Sequence, residues 1–89
     1  MPITPDELWR RIIANTGQWF QTIRGMNFVY VVANGAVHTS RTNHQLSRSQ
    51  FEKALARVPL NNTSVVQDLR GPSYIYAILM DQRIRGNDW

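Results

Sequence analysis

The densest run of side chains able to do chemistry is His38-Thr39-Ser40-Arg41-Thr42-Asn43-His44-Gln45-Leu46-Ser47-Arg48-Ser49-Gln50. It holds both histidines of the chain, two arginines, five hydroxyls and several carboxamides, and no acid. Two histidines flanking a cation match the minimum set for metal-independent phosphodiester cleavage: one base, one acid, and a positive charge for the transition state. The plainer reading leaves His38 as a partly buried ring bonded to a backbone carbonyl and His44 as a solvated loop residue.

Anion recognition is the chemistry that more of the run supports. Its end coincides with an expected helix start, where free N–H groups and the helix dipole favour negative charge. Arg41, Arg48 and the hydroxyls of Ser47 and Ser49 could hold a phosphate, with Lys53 adding charge on the same helix. Asn43, His44 and Gln45 could reach base edges. Against this stands the ordinary account of a polar connection in which Ser47 is spent as a cap.

Other chemistries lack their parts. The histidines have no thiolate or nearby carboxylate to complete a metal site, and the chain contains no cysteine. No serine nucleophile elbow and no glycine-rich phosphate loop occurs. An enzyme is therefore not the leading expectation, and no cofactor or metal is expected.

Nine of the ten basic residues are arginine, and the net charge is +4. From Leu8 to Pro59 seven basic residues face the single acid Glu52, so that stretch carries +6. Arginine's planar fork suits phosphate and carboxylate, although codon usage in a GC-rich genome produces the same bias. At 89 residues with 43% hydrophobic content, the expectation is one folded domain covering residues 1–89. The opening residues carry neither a basic region nor an apolar run, and nothing approaches a membrane span, so a cytoplasmic protein with no membrane partner is expected.

The elements that must position these groups follow from local patterns. Thr4 as N-cap, Pro5 at the first helical position, Glu7 as capping-box partner and an Ile3–Leu8 staple predict a helix over 5–16. Its apolar stripe is Leu8, Trp9, Ile12 and Ile13, and Gly17 stops it. Three strands are expected over 18–24, 27–33 and 36–41, with Asn34-Gly35 as a type I′ turn. That turn would pair Val32 with Val37, Tyr30 with Thr39, and Phe28 with Arg41. The strand over 27–33, apolar on both faces, is expected to be central. A loop follows to Gln45. A second helix then begins with Ser47 as N-cap, Gln50 as box partner and Leu46–Phe51 as staple, and Pro59 ends it. Val65–Arg70 reads as a short helix capped by Ser64 or as a strand. Residues 74–83 read as a last helix capped by Ser73, with a buried strand as the alternative. The result is a two-layer α+β fold: a three-stranded antiparallel meander packed on one face by helices, in the order α-β-β-β-α followed by one or two short helices.

That order resembles the double-stranded-RNA-binding domain. The resemblance implies phosphate contacts at the start of the helix after the sheet, here Ser47-Arg48-Ser49-Gln50-Phe51-Glu52-Lys53, of which only Arg48 and Lys53 are basic. A three-stranded sheet with a helix is also similar to the DNA-binding modules of some integrases, which implies insertion of the sheet into a major groove.

The leading expectation is a small basic protein that binds nucleic acid, DNA or RNA, through Arg41, Asn43, His44, Ser47, Arg48, Ser49 and Lys53. The rival is a protein-binding or homodimerising module whose interface uses Trp9, Tyr76 and Trp89 as exposed aromatics. A metal-independent ribonuclease is the third reading. Trp19, Phe20, Phe28 and Tyr30 are assigned to the core.

Overall fold

A computed structural model describes residues 2–41, 43 and 45–89, so His44 lies outside the described residues. Helix α1 (Pro5–Ala14) starts as its caps dictate. The Thr4 hydroxyl accepts from the Glu7 N–H at 3.1 Å, and Pro5 fills the first helical position. The Glu7 carboxylate turns to Arg10 and Arg11 rather than back to the cap. The helix stops at Ala14, before the expected end, because the Asn15 side chain bonds the Arg11 carbonyl and closes the last turn. Ile13, expected in the apolar stripe, is 49% exposed.

Strands β1 (Phe20–Gln21) and β2 (Asn27–Phe28) form a two-stranded antiparallel sheet. Strands β3 (Tyr30–Ala33), β4 (Ala36–Thr39) and β5 (Gln45–Ser47) form the three-stranded meander, in that order. The Asn34-Gly35 turn has φ of 55° and 71°, as a type I′ hairpin requires. Its register pairs Ala33 with Ala36, Val32 with Val37, Val31 with His38 and Tyr30 with Thr39, as expected.

The single strand expected over 27–33 is broken at Val29, whose N–H donates to the Ser40 hydroxyl. The break lets Phe28 pair with Phe20 rather than Arg41. The meander therefore gains its third strand from Gln45–Ser47, which sequence reading placed in a loop and a cap. Leu46 serves twice, as the expected staple before the second helix and as the buried cross-strand partner of Val37. The central strand is β4, not β3, and Val31 on β3 is 51% exposed.

Helix α2 (Arg48–Leu55) follows β5 directly. Ser47 stands at its N-cap but makes no side-chain cap bond, and its hydroxyl pairs with Ser49 at 2.9 Å. A 3₁₀ turn at Thr63–Val66 is capped by Asn62 instead of Ser64, because the shorter reach of an Asx turn captures the Ser64 N–H. Helix α3 (Pro72–Leu79) takes the helical alternative, with Pro72 in its first turn. Its N-cap is Gly71 rather than Ser73, and it ends before Asp81, which caps a separate helix α4 (Gln82–Arg85). Asp81 accepts from the Arg83 N–H and so starts a new helix where one continuous helix was expected.

Helices lie on both sides of the sheets, in place of one covered face. The division into two sheets is the reason: α3 packs on β1, while α1 and α2 pack on β3 and β5. Leu8, Ile12, Phe28, Phe51, Ile75 and Leu79 are fully buried between them. Tyr30 reaches from β3 to donate its hydroxyl to the Ile12 carbonyl at 2.6 Å, tying the sheet to α1. The α+β class and the three-stranded meander stand, but the longer chain order departs from the double-stranded-RNA-binding pattern.

Candidate nucleic-acid interface

Strand β5 and the first turn of α2 present alternating side chains, with Leu46 inward and Gln45 and Ser47 outward. Against their outer side lies a cleft of about 510 Å³ lined by Asn43, Gln45, Ser47, Gln50 and Arg70. Among the described residues the lining is three carboxamides, a hydroxyl and a guanidinium, with no carboxylate.

Two contacts hold Arg70 at this cleft. Its backbone N–H donates to the Gln50 Oε1 at 3.0 Å. The next residue, Gly71, sits against Leu46 so closely that a Cβ there would lie 2.6 Å from a Leu46 methyl carbon. Gln50 therefore anchors a distant segment instead of closing the expected capping box. Arg70 was missed by the sequence reading, which treated residues 65–70 only as an undecided element. The Gly71-Pro72 pair after it was a turn signal, but it carried no information about which strand the turn would meet.

Asn43, Gln45 and Ser47 are thus brought together, while other candidates are placed differently. Arg48 points away to a bridge between helices. Its guanidinium pairs with Asp6 on α1 and with Glu52 at 2.8 Å, and lies 5.9 Å from the Trp9 ring centroid. Those hydrogen bonds, Asp6 foremost, raise its pKa further. Arg41 is exposed and its Nε donates to the Asn27 carbonyl at 2.9 Å, which steadies the strand-to-loop corner. Ser49 is exposed, and Lys53 is exposed in the last turn of α2.

All six acids of the chain are paired with arginines: Asp6, Glu7, Glu52, Asp68, Asp81 and Asp88 bind Arg10, Arg11, Arg48, Arg57 or Arg83. Arg24, Arg41 and Lys53 stand outside these pairs among the described residues, so the excess positive charge is carried elsewhere than at the bridges.

His38 is half-buried, and its Nε2 lies 3.2 Å from the Ala33 carbonyl. That contact already accounts for one ring nitrogen. Among the described residues, no group of three or more histidine, aspartate or glutamate side chains could hold a metal ion. No helix among them is long and apolar enough to cross a membrane.

The aromatics expected at an interface are largely engaged inside. Trp9 is 9% exposed and packs 6.1 Å from Phe51. Trp89 donates its indole N–H to the Leu79 carbonyl at 2.7 Å, and both it and Tyr76 pack partly buried on the core. Trp19, assigned to the core by its neighbours, is instead 66% exposed. Strand alternation is the reason: Phe20 and Thr22 point inward, so Trp19, Gln21 and Ile23 point out.

No protein-family model matches the sequence, and no curated protein or solved structure matches it either.

Proposed function

We propose that the protein binds nucleic acid through the cleft between β5, the start of α2 and Arg70. The observation that carries the reading is the acid-free lining, in which a guanidinium stands beside three carboxamides and a hydroxyl. A guanidinium binds phosphate oxygens in a fork, and carboxamides present the paired donor and acceptor that base edges require. Arg41, close in sequence to Asn43, adds a further cation, and the first turn of α2 adds backbone N–H groups uncapped by the Ser47 side chain. Arg48 and Ser49 act in this reading as supports: Arg48 braces α2 against α1, and Ser49 orients the Ser47 hydroxyl. The proposal includes a cytoplasmic location.

The test is fluorescence anisotropy with labelled DNA and RNA across a salt series, comparing wild type with Arg41→Glu/Arg70→Glu. The logarithm of the affinity should fall linearly with the logarithm of salt, by about 0.7 to 0.9 per phosphate neutralised. The double variant should bind weakly and with a shallower slope. Affinity insensitive to salt, or unchanged in a folded double variant, would refute the proposal.

A second reading rests on a different surface. Trp19, Ile23 and Met26 are 66%, 59% and 45% exposed around the β1–β2 hairpin, which favours a protein partner or a second copy there. Light scattering on wild type and Trp19→Ser/Ile23→Ser would show a concentration-dependent dimer that the variant abolishes. A strict monomer in both removes the self-association form.

A further inference from the structure

Resting on the nucleic-acid reading, we infer that the strand face around Trp19 binds a single strand, stacking an unpaired base on the Trp19 ring. Alternation along the strands fixes this face. Phe20, Phe28 and Tyr30 are buried, so Trp19, Val29 and Val31 point the other way. Trp19 and Val31 are exposed and Val29 is half-buried. Extending the β1–β2 register by one pair sets Trp19 opposite Val29. Val31 in turn pairs with His38 on β4. Beside the tryptophan lies a shallow depression whose lining includes Val29, Val31 and His38.

Charge selects the occupant. No acid occurs anywhere from Gly17 to Ser47, the stretch that forms all five strands. Arg24 sits in the β1–β2 turn, and Arg41 is tied to β2 by its bond to the Asn27 carbonyl. Both stand outside the ion pairs among the described residues. Asp81, which shares a depression with Gln21 and Ile23, is neutralised by Arg83. An apolar face bordered by cations and free of acids complements a polyanion with apolar rings. A second copy meeting this face through the same face would bring its own Arg24 and Arg41 into the contact, where like charges repel.

The tryptophan separates a single strand from a duplex. Inside a duplex both faces of a base are covered by its neighbours, so an exposed ring can stack only on a base that has left the stack. A duplex would meet Arg24 and Arg41 with its phosphates and leave Trp19 and Val31 without partners. An unpaired strand uses both features, its phosphates on the arginines and a base on the ring. Since every base has a face, this grip is tolerant of sequence.

The experiment measures anisotropy of labelled oligo-dT and of a mixed-sequence duplex of equal length, across a salt series. Proteins compared are wild type, Trp19→Ser and Trp19→Phe, with circular dichroism verifying each fold. Oligo-dT should bind tighter than the duplex. Trp19→Ser should weaken oligo-dT about tenfold, the loss of one stacked base, while Trp19→Phe keeps most of the affinity. The salt slope should stay the same in both, because no charge is removed. Salt-dependent binding that Trp19→Ser leaves unchanged overturns this inference and leaves the nucleic-acid reading standing, as does a duplex bound as tightly as oligo-dT. No salt-dependent binding of either probe overturns both, and a dimer dissolved by Trp19→Ser would then assign the face to a second copy.

Discussion

Replacing Gly71 by alanine should be far more damaging than the same change at Gly17, although both glycines have positive φ. Gly71 lies at φ 65° and ψ 50°, and Gly17 at φ 82°. The backbone penalty for an L-residue in this region is about 1 kcal/mol and applies to both. Beyond it the sites part. An added Cβ at Gly17 meets nothing within 4 Å, whereas at Gly71 it meets a Leu46 methyl carbon at 2.6 Å. Leu46 is fully buried, so its methyl has little room to swing clear. Overpacking of this kind costs about 1–3 kcal/mol, which brings Gly71→Ala to about 2–4 kcal/mol in all. That is a large share of the total stability of about 5–15 kcal/mol usual for a domain. Urea unfolding followed by tryptophan fluorescence reads both variants. Leu46→Ala tests the cause, because it removes the atom that is struck. The double variant Gly71→Ala/Leu46→Ala should lose less than the sum of the single losses. Equal losses for Gly71→Ala and Gly17→Ala would refute the claim that close contact with β5 sets the position of Arg70.

Thr39 carries the one buried side-chain oxygen with no hydrogen-bond partner among the described residues, so Thr39→Val should raise stability by about 1 kcal/mol in the same unfolding assay. Tyr30→Phe should cost about 1 kcal/mol by removing the bond to the Ile12 carbonyl. It should also change the alkaline limb. Burial pushes the Tyr30 phenol well above its ordinary 10.0, so its contribution is complete below pH 10 and is lost as pH rises beyond it. The thermal midpoint should therefore fall above pH 10, and less so in Tyr30→Phe. At the acid end, the Arg83 guanidinium beside Asp81 holds that carboxyl below its ordinary 3.8. Its contribution is present above pH 3.8 and fades as pH falls, so Asp81→Asn should flatten the acid decline seen by circular dichroism.

The parts of the fold legible in the sequence are those whose signals lie within a few residues. Thr4 and Pro5 mark the start of α1 because a capping hydroxyl must be three residues from the N–H it accepts. Asn34-Gly35 sets the hairpin register because a type I′ turn needs positive φ at both positions. Leu46 and Phe51 bracket the start of α2 for a similar reason, and Asn43, Gln45 and Ser47 were found on one polar run. Tertiary structure decided the rest, through partners far apart in the chain. Whether Gln45–Ser47 is loop or strand depended on Val37 being available to Leu46. Whether Arg48 meets a ligand or a carboxylate depended on Asp6, 42 residues away. Trp9 and Trp19 exchanged their expected roles because burial follows which face of a packed element is covered, and both tryptophans have equally apolar neighbours in sequence. Arg70 is held at the cleft where Gly71 packs on Leu46 and Gln50 accepts its N–H across 20 residues. Short-range hydrogen-bond geometry writes itself into residue order, whereas a contact between distant segments exists only once the core has brought them together.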